Sequence, residues 1–242
     1  MTSASRRRLE ASVSIQKVGK YASGESGDTA EVVERAGGGF SVVLVDGQGS
    51  GRGAKALSLL ISSRAVTMLK DGVRDRAAVE GVHDFLLAYR NGLVSATIDI
   101  VTIDPARRII RLTRQASVPA VIGDEEGYRL LPCPSGPIGR WQATPLWCHE
   151  IVMAEGLRLV VATDGIPCAG IRRGTAGFDV TSFLNASHPD EDDAATIATA
   201  VLDEAIRSDG DKPADDLTVV AVTVHAGQQR HSRRMMALNV PI

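Results

Sequence analysis

Apolar residues recur along this chain in two rhythms. Residues 13–21, 29–35 and 39–45 are short, valine-rich stretches that alternate or run apolar, which predicts three strands. The period changes over residues 53–69, where Ala54, Leu57, Leu60, Ile61, Ala65, Met68 and Leu69 fall at helical spacing, with Gly72 as the C-cap. A second helix is predicted over residues 77–90, with Val79, Val82, Leu86 and Leu87 inward and Asn91-Gly92 as its stop. Residues 96–103 and 108–114 return to the strand rhythm around Asp104-Pro105-Ala106-Arg107, a hairpin signal. Shorter strands are predicted at 120–122, 128–131, 149–153 and 157–163. A helix over 192–207, with Ile197, Val201, Leu202 and Ile206 on one face, precedes a last strand at 217–224. Strands and helices are segregated, so the expected class is α+β.

At 44% hydrophobic and 23% charged, 242 residues can build a sizeable core and carry no signature of disorder. The core is expected over about residues 13–224 as one domain, with 1–12 and 225–242 as terminal extensions, residues 235–242 being apolar enough to dock as an extra strand. A formal net charge of −2 gives no bulk attraction to nucleic acid or anionic membrane, and neither is expected as a partner. No apolar run approaches a bilayer span, and the Arg triplet near the N-terminus leads into no apolar segment. Cys133, Cys148 and Cys168 are odd in number and widely spaced, so a reducing cytoplasm is expected.

The candidate chemistry lies at strand ends. The run Ser41-Val42-Val43-Leu44-Val45 stops at Asp46, followed by Gly47-Gln48-Gly49-Ser50-Gly51 and then a helix. A carboxylate fixed there, beside bare backbone carbonyls, suits a hard divalent cation. Val160-Val161-Ala162-Thr163-Asp164-Gly165 repeats the pattern, and Asp215-Asp216 opens the last strand. Asp28, in a loop after the first strand, is a fourth candidate. Acids gathered in one cleft raise each other's pKa, and a bound cation reverses that. The acidic run Asp190-Glu191-Asp192-Asp193 reads instead as helix N-terminal charge.

Other motifs carry less. Gly49-Ser50-Gly51-Arg52-Gly53-Ala54 matches a dinucleotide fingerprint, but Asp46 would crowd the pyrophosphate and hairpins follow in place of βαβ units. Lys55 is followed by Ala56, which excludes a Walker loop. Six residues separate Cys133 from Arg140, one too many for a cysteine-phosphatase loop, and Pro134 and Pro137 lack amide donors. His83, His149, His188, His225 and His231 show no zinc-like spacing.

Taken in order, Ser26-Gly27-Asp28, Asp46-Gly47-Gln48-Gly49-Ser50-Gly51, Pro137-Ile138-Gly139, Thr163-Asp164-Gly165 and Asp215-Asp216-Leu217-Thr218 resemble the stage II sporulation protein E branch of the metal-dependent protein phosphatases. The resemblance implies two packed antiparallel sheets flanked by helix pairs, and two Mn²⁺ or Mg²⁺ ions. It implies that Asp46 bridges both ions with the Gly47 carbonyl as an added ligand, that Asp164 and Asp215 complete one shell, and that Asp28 holds the other ion mostly through water. Asp216 stands where the family has a second Asp or an Asn and is a further metal ligand that the resemblance implies. Asp46 and Asp164 are thereby the catalytic pair. The implied substrate is a phosphorylated protein, such as an anti-sigma-factor antagonist in stress-response regulation. The family's Asn-Ala-Gly-His is replaced by Gln115-Ala116-Ser117-Val118, and no Tyr follows Asp28. Arg52 is the candidate phosphate contact, and the Gly- and Arg-rich loop over residues 166–178 is placed to flank the cleft. Movement of the two helices after Asp46 is a candidate means of regulation. A catalytically silent phosphoprotein-binding module of the same fold and a dinucleotide-dependent oxidoreductase are the alternatives.

Overall fold

A computed structural model describes residues 8–133, 135–141, 145–187, 193–227 and 234–239. Pro134, His188, Asp190, Glu191, Asp192, residues 228–233 and residues 240–242, on which some of these expectations fall, lie outside them. Ten strands form two five-stranded antiparallel sheets. One sheet holds β2 (Asp28–Glu34), β3 (Phe40–Gly47), β4 (Ala96–Asp104), β5 (Ile109–Gln115) and β8 (Trp147–Val152) in that order. The other runs β1 (Leu9–Val18), β10 (Leu217–Ala226), β9 (Arg158–Ala162), β6 (Ala120–Asp124) and β7 (Gly127–Leu131). Strand β3 alternates its apolar residues between two buried layers. Val42 and Leu44 of β3 meet Val161, Val220 and Val222 between the sheets, whereas Val43 and Val45 face helices.

Helices α1 (Gly51–Lys70) and α2 (Asp75–Arg90) cover the outer face of the first sheet through Ile61, Ala65, Leu69, Val79, Val82 and Leu86. Helix α5 (Ala194–Ser208) covers the second sheet through Ile197, Val201 and Leu202. The result is the expected helix–sheet–sheet–helix stack. The end of α1 is fixed by two bonds, Gly72 N–H to the Leu69 carbonyl at 3.1 Å and Val73 N–H to the Met68 carbonyl at 2.9 Å, with Gly72 at φ +84°. Asp193 caps α5 by accepting from the Ala195 amide at 3.2 Å. The dinucleotide reading ends here: β3 feeds a helix pair and then pairs antiparallel with β4, so the segment that carries the glycine motif is not a βαβ unit.

Four expectations need correction. The first strand spans Leu9–Val18 rather than 13–21, because Leu9↔Ala226 already pairs it with β10. Asp28 opens β2 instead of lying in a loop. The region read as a loop over 166–178 holds α3 (Gly165–Cys168) and a 3-10 turn at Ile171–Arg173, and α4 (Val180–Ser187) follows it. Helix α4 combines β-branched, Ser and Asn residues that favour helix weakly; Asp179 caps it by accepting from the Thr181 and Ser182 amides, each at 3.0 Å, and Leu184 anchors it. Met235 and Leu238, expected in a docked strand, are both 88% exposed and belong to no strand. Among the described residues no helix is long and apolar enough to cross a membrane.

Candidate metal centre

The layer between the sheets ends in oxygen. Along β3 the positions facing that layer are Val42, Leu44 and then Asp46, and Asp46 stands in register with Asp28 of β2 and Thr97 of β4. Asp28 is fully buried. Its Oδ2 accepts hydrogen bonds from Thr163 Oγ1 at 3.0 Å and Thr218 Oγ1 at 2.5 Å. These bonds tie the two sheets together at the mouth of the sandwich, since Thr163 follows β9 and Thr218 belongs to β10. The other oxygen, Oδ1, is buried with no hydrogen-bond partner among the described residues. A bare carboxylate oxygen in that position is costly unless it meets a proton or a cation.

Asp164 follows β9 and leads into α3, and Asp215 precedes β10. Both act on Asp46. Burial first, then Asp28, Asp164, Asp215 and Asp216 in turn, push the Asp46 carboxyl up to about 8. Asp28 is pushed up to about 6 by burial, against the two threonine hydroxyls that favour its charged form. Asp164 is also raised, by burial and by Asp215, while a hydrogen bond with Asp46 opposes the shift. The five sequence-selected aspartates, Asp28, Asp46, Asp164, Asp215 and Asp216, therefore share one electrostatic field centred on Asp46.

The glycines beside them are needed for close packing. A Cβ on Gly165 would stand 2.1 Å from the Asp216 carbonyl oxygen, so the Thr163-Asp164-Gly165 turn can lie against Asp215-Asp216 only with glycine there. A Cβ on Gly47 would stand 2.4 Å from the Ala54 carbonyl oxygen, which fixes α1 directly over the end of β3. Asp216 has a different set of partners from the others. Its Oδ1 accepts from the Lys20 amide at 2.9 Å and its Oδ2 from the Gly27 amide at 2.8 Å, holding the β1–β2 loop in place.

Two residues that sequence reasoning missed are lysines. Lys17 Nζ and Lys55 Nζ both donate to the Asp28 carbonyl, at 3.0 and 2.8 Å, and Lys55 also donates to Thr29 Oγ1 at 2.9 Å. Burial and the neighbouring Lys17 hold the Lys55 amine below its usual range. Lys17 lies on β1 and Lys55 on α1, so only the packing of the fold brings them together and no local motif signals them. Thr163 and Thr218 were legible as motif members but not as the hydroxyls that orient Asp28. Arg52 is exposed in the first turn of α1, and among the described residues it makes no ion pair. Arg140 lies against the β3 turn, with Nη2 3.5 Å from Gln48 Oε1.

This donor set fits a hard divalent cation. It consists of carboxylate and carbonyl oxygens, includes one buried orphan oxygen, and carries mutual repulsion that positive charge would relieve. Among the described residues no three acidic, histidine or cysteine side chains are yet gathered closely enough to enclose a cation.

Known proteins share this fold. A curated stage II sporulation protein E from Priestia megaterium is 23% identical over 200 residues, which is 81% of this chain and 33% of that protein. The chain thus spans a third of that relative's length. The phosphatase domain and regulatory-domain fragment of the cell fate determinant SpoIIE from Bacillus subtilis superposes with a TM-score of 0.78 at 18% identity, over 92% of this chain and 66% of that one. RsbX in complex with magnesium superposes with a TM-score of 0.66 at 18% identity, over 90% and 99%. The RsbU and RsbW domains of Rv1364c from Mycobacterium tuberculosis give 0.70 at 19% identity, over 90% and 61%. These likenesses establish the fold. The sequence model of the stage II sporulation protein E family matches residues 36–225, and the chain belongs to that family.

Proposed function

We propose that this chain is a divalent-cation-dependent phosphatase that hydrolyses phosphoserine or phosphothreonine on a protein. The observation that carries the reading is the convergence of Asp28, Asp164 and Asp215 on Asp46 in a chain of this family. When bound, two Mn²⁺ or Mg²⁺ ions supply an activated water and neutralise phosphoryl oxygens for in-line displacement. Asp46 would hold both ions, with the Gly47 carbonyl beside it, and Asp164 and Asp215 would complete one shell. Asp28 would serve the other through its free Oδ1, largely by way of water. Asp216, its oxygens already accepting two amides, positions the loop that leads through Gly27 into Asp28 at the start of β2.

The residues that hold no ion also have tasks. Thr163 and Thr218 orient Asp28, and Lys17 and Lys55 offset part of the negative field from behind it. Arg52 and Arg140 are the cations that flank the β3 turn, and Arg52 remains the proposed phosphate contact.

Relatives named for RsbU, RsbW and RsbX support a regulatory phosphoprotein as substrate, with an anti-sigma-factor antagonist in the cytoplasm as the specific proposal. The catalytically silent module has no observation in its favour, because none of the candidate aspartates is missing. The test is phosphate release from a phosphoserine peptide with Mn²⁺ and with chelator. Release that requires Mn²⁺ supports the reading, and no release from folded protein in any divalent metal overturns it.

A further inference from the structure

Beside the aspartates lies an open pocket of about 250 Å³ whose lining is cationic. Lys20, Arg172, Arg173 and Lys212 converge there from three segments distant in sequence: the end of β1, the 3-10 turn after α3, and the loop before β10. Its one acid, Asp209, is not a counter-ion for them. Asp209 is buried, and its two oxygens accept from the Gly170 and Ala214 amides, each at 2.7 Å. Among the described residues none of the four cations makes an ion pair. Lys212 Nζ lies 5.4 Å from the ring centroid of Tyr21, which also lines the pocket. Four unpaired cations held together repel one another, and an anion removes that cost.

The pocket is joined to the metal centre through its frame. Lys20 N–H binds Asp216 Oδ1 at 2.9 Å and Tyr21 N–H binds the Pro213 carbonyl at 2.8 Å. Ala214 lines the pocket and precedes Asp215.

We propose that this pocket binds an acidic side chain of the phosphoprotein, flanking the phosphorylated residue, and so selects substrates with a negative group near the phosphoserine or phosphothreonine. The proposal rests on the phosphatase reading for what occupies the neighbouring centre. Arg172 and Arg173 suit carboxylate or phosphate through their planar paired donors, and Lys20 and Lys212 add point charge.

The test uses fluorescein-labelled thiophosphoserine peptides, which resist hydrolysis, and reads Kd by fluorescence anisotropy in Mn²⁺. One peptide carries Asp and Glu flanks, one the corresponding Asn and Gln, and one a second phosphoserine. The full chain is expected to bind the acidic peptide about tenfold more tightly than its amide counterpart, a preference that added salt weakens. In the R172E/K212E variant the preference should fall to within about twofold; K212Q, with a milder change, should lower it partway and covers the case in which the double variant does not fold. The second-phosphate peptide shows which anion the pocket favours. Equal binding of acidic and amide peptides by the unaltered chain overturns the proposal, as does a preference that survives R172E/K212E. So does a single-stranded oligonucleotide that binds more tightly than the acidic peptide and is lost in the same variant. Turnover of p-nitrophenyl phosphate by the unaltered chain separates the two readings. Preference without turnover removes the phosphatase and keeps the pocket; turnover without preference removes only the pocket.

Discussion

Asp28 and Asp46 face each other across the β2–β3 ladder, so two carboxylates occupy one cross-strand pair. Like charges directly opposite destabilise a sheet, and here burial adds to the cost: Asp28 is held at about 6 and Asp46 at about 8. The native state without metal thus binds protons more tightly than the unfolded chain, whose carboxylates titrate near 3.8. These two groups add stability that is fully present below that value and is lost as pH rises through about 6 and about 8. In chelator, the melting temperature should be lower at pH 8.5 than at pH 5.5. Mn²⁺ should raise it, most strongly at the higher pH. A metal-free protein that becomes more stable over that interval would contradict the shared field.

Thr218 donates to the buried Asp28 oxygen from the opposite sheet at 2.5 Å. Thr218→Val should cost about 1.5–3 kcal/mol in urea denaturation with Mn²⁺ present, the range for a hydrogen bond to a charged group. The loss should shrink in chelator at low pH, where Asp28 is protonated. An equal cost under both conditions would mean that the hydroxyl contributes packing alone.

Gly165→Ala places a Cβ 2.1 Å from the Asp216 carbonyl oxygen. Because both partners are backbone, the turn and the β10 entry must separate, at about 1–3 kcal/mol. Mn²⁺ affinity and phosphopeptide turnover should fall together with thermal stability. A variant with native Mn²⁺ affinity would show that the two segments need not touch.

Leu57 packs α1 on the sheet, and the Ala54 carbonyl of the same helix lies against Gly47. Leu57→Ala should lower stability by about 2–3 kcal/mol. Calorimetry should also find weaker Mn²⁺ binding, since α1 and the Gly47 carbonyl move as one. Unchanged affinity in a folded variant would argue against regulation through the helix pair.

Arg114 and Asp99 are paired across β4–β5 and both are buried, with Arg114 Nη1 unpartnered among the described residues. Arg114→Met leaves Asp99 without its cation and should cost about 3–5 kcal/mol by chemical denaturation. The Asp99→Leu/Arg114→Met double variant should recover most of that loss.

What could be read from the chain alone divides along physical lines. The β3 run and the faces of α1, α2 and α5 were legible, because burying one face imposes period on the sequence. Strand ends were legible as sites because Asp46 and Asp164 each interrupt an apolar run with a carboxylate. The limits of β1 were not, since its exposed edge alternates weakly and its extent is set by pairing with β10. Helix α3, four residues long, is too short to show a period, although the Asp179 cap of α4 was a usable local signal. Lys17, Lys55, Lys20 and Lys212 were invisible because their meaning is relative position, which only the fold supplies, whereas Arg172 and Arg173 were legible only as members of an Arg-rich stretch.

The central claim is that Asp46 gathers divalent metal, and titration calorimetry with Mn²⁺ on the unaltered chain and on Asp46→Asn tests it most directly. Saturable binding by the unaltered chain, weakened at least about tenfold in Asp46→Asn, is the predicted result. Equal binding by the two proteins, or none by the folded unaltered chain, would contradict it.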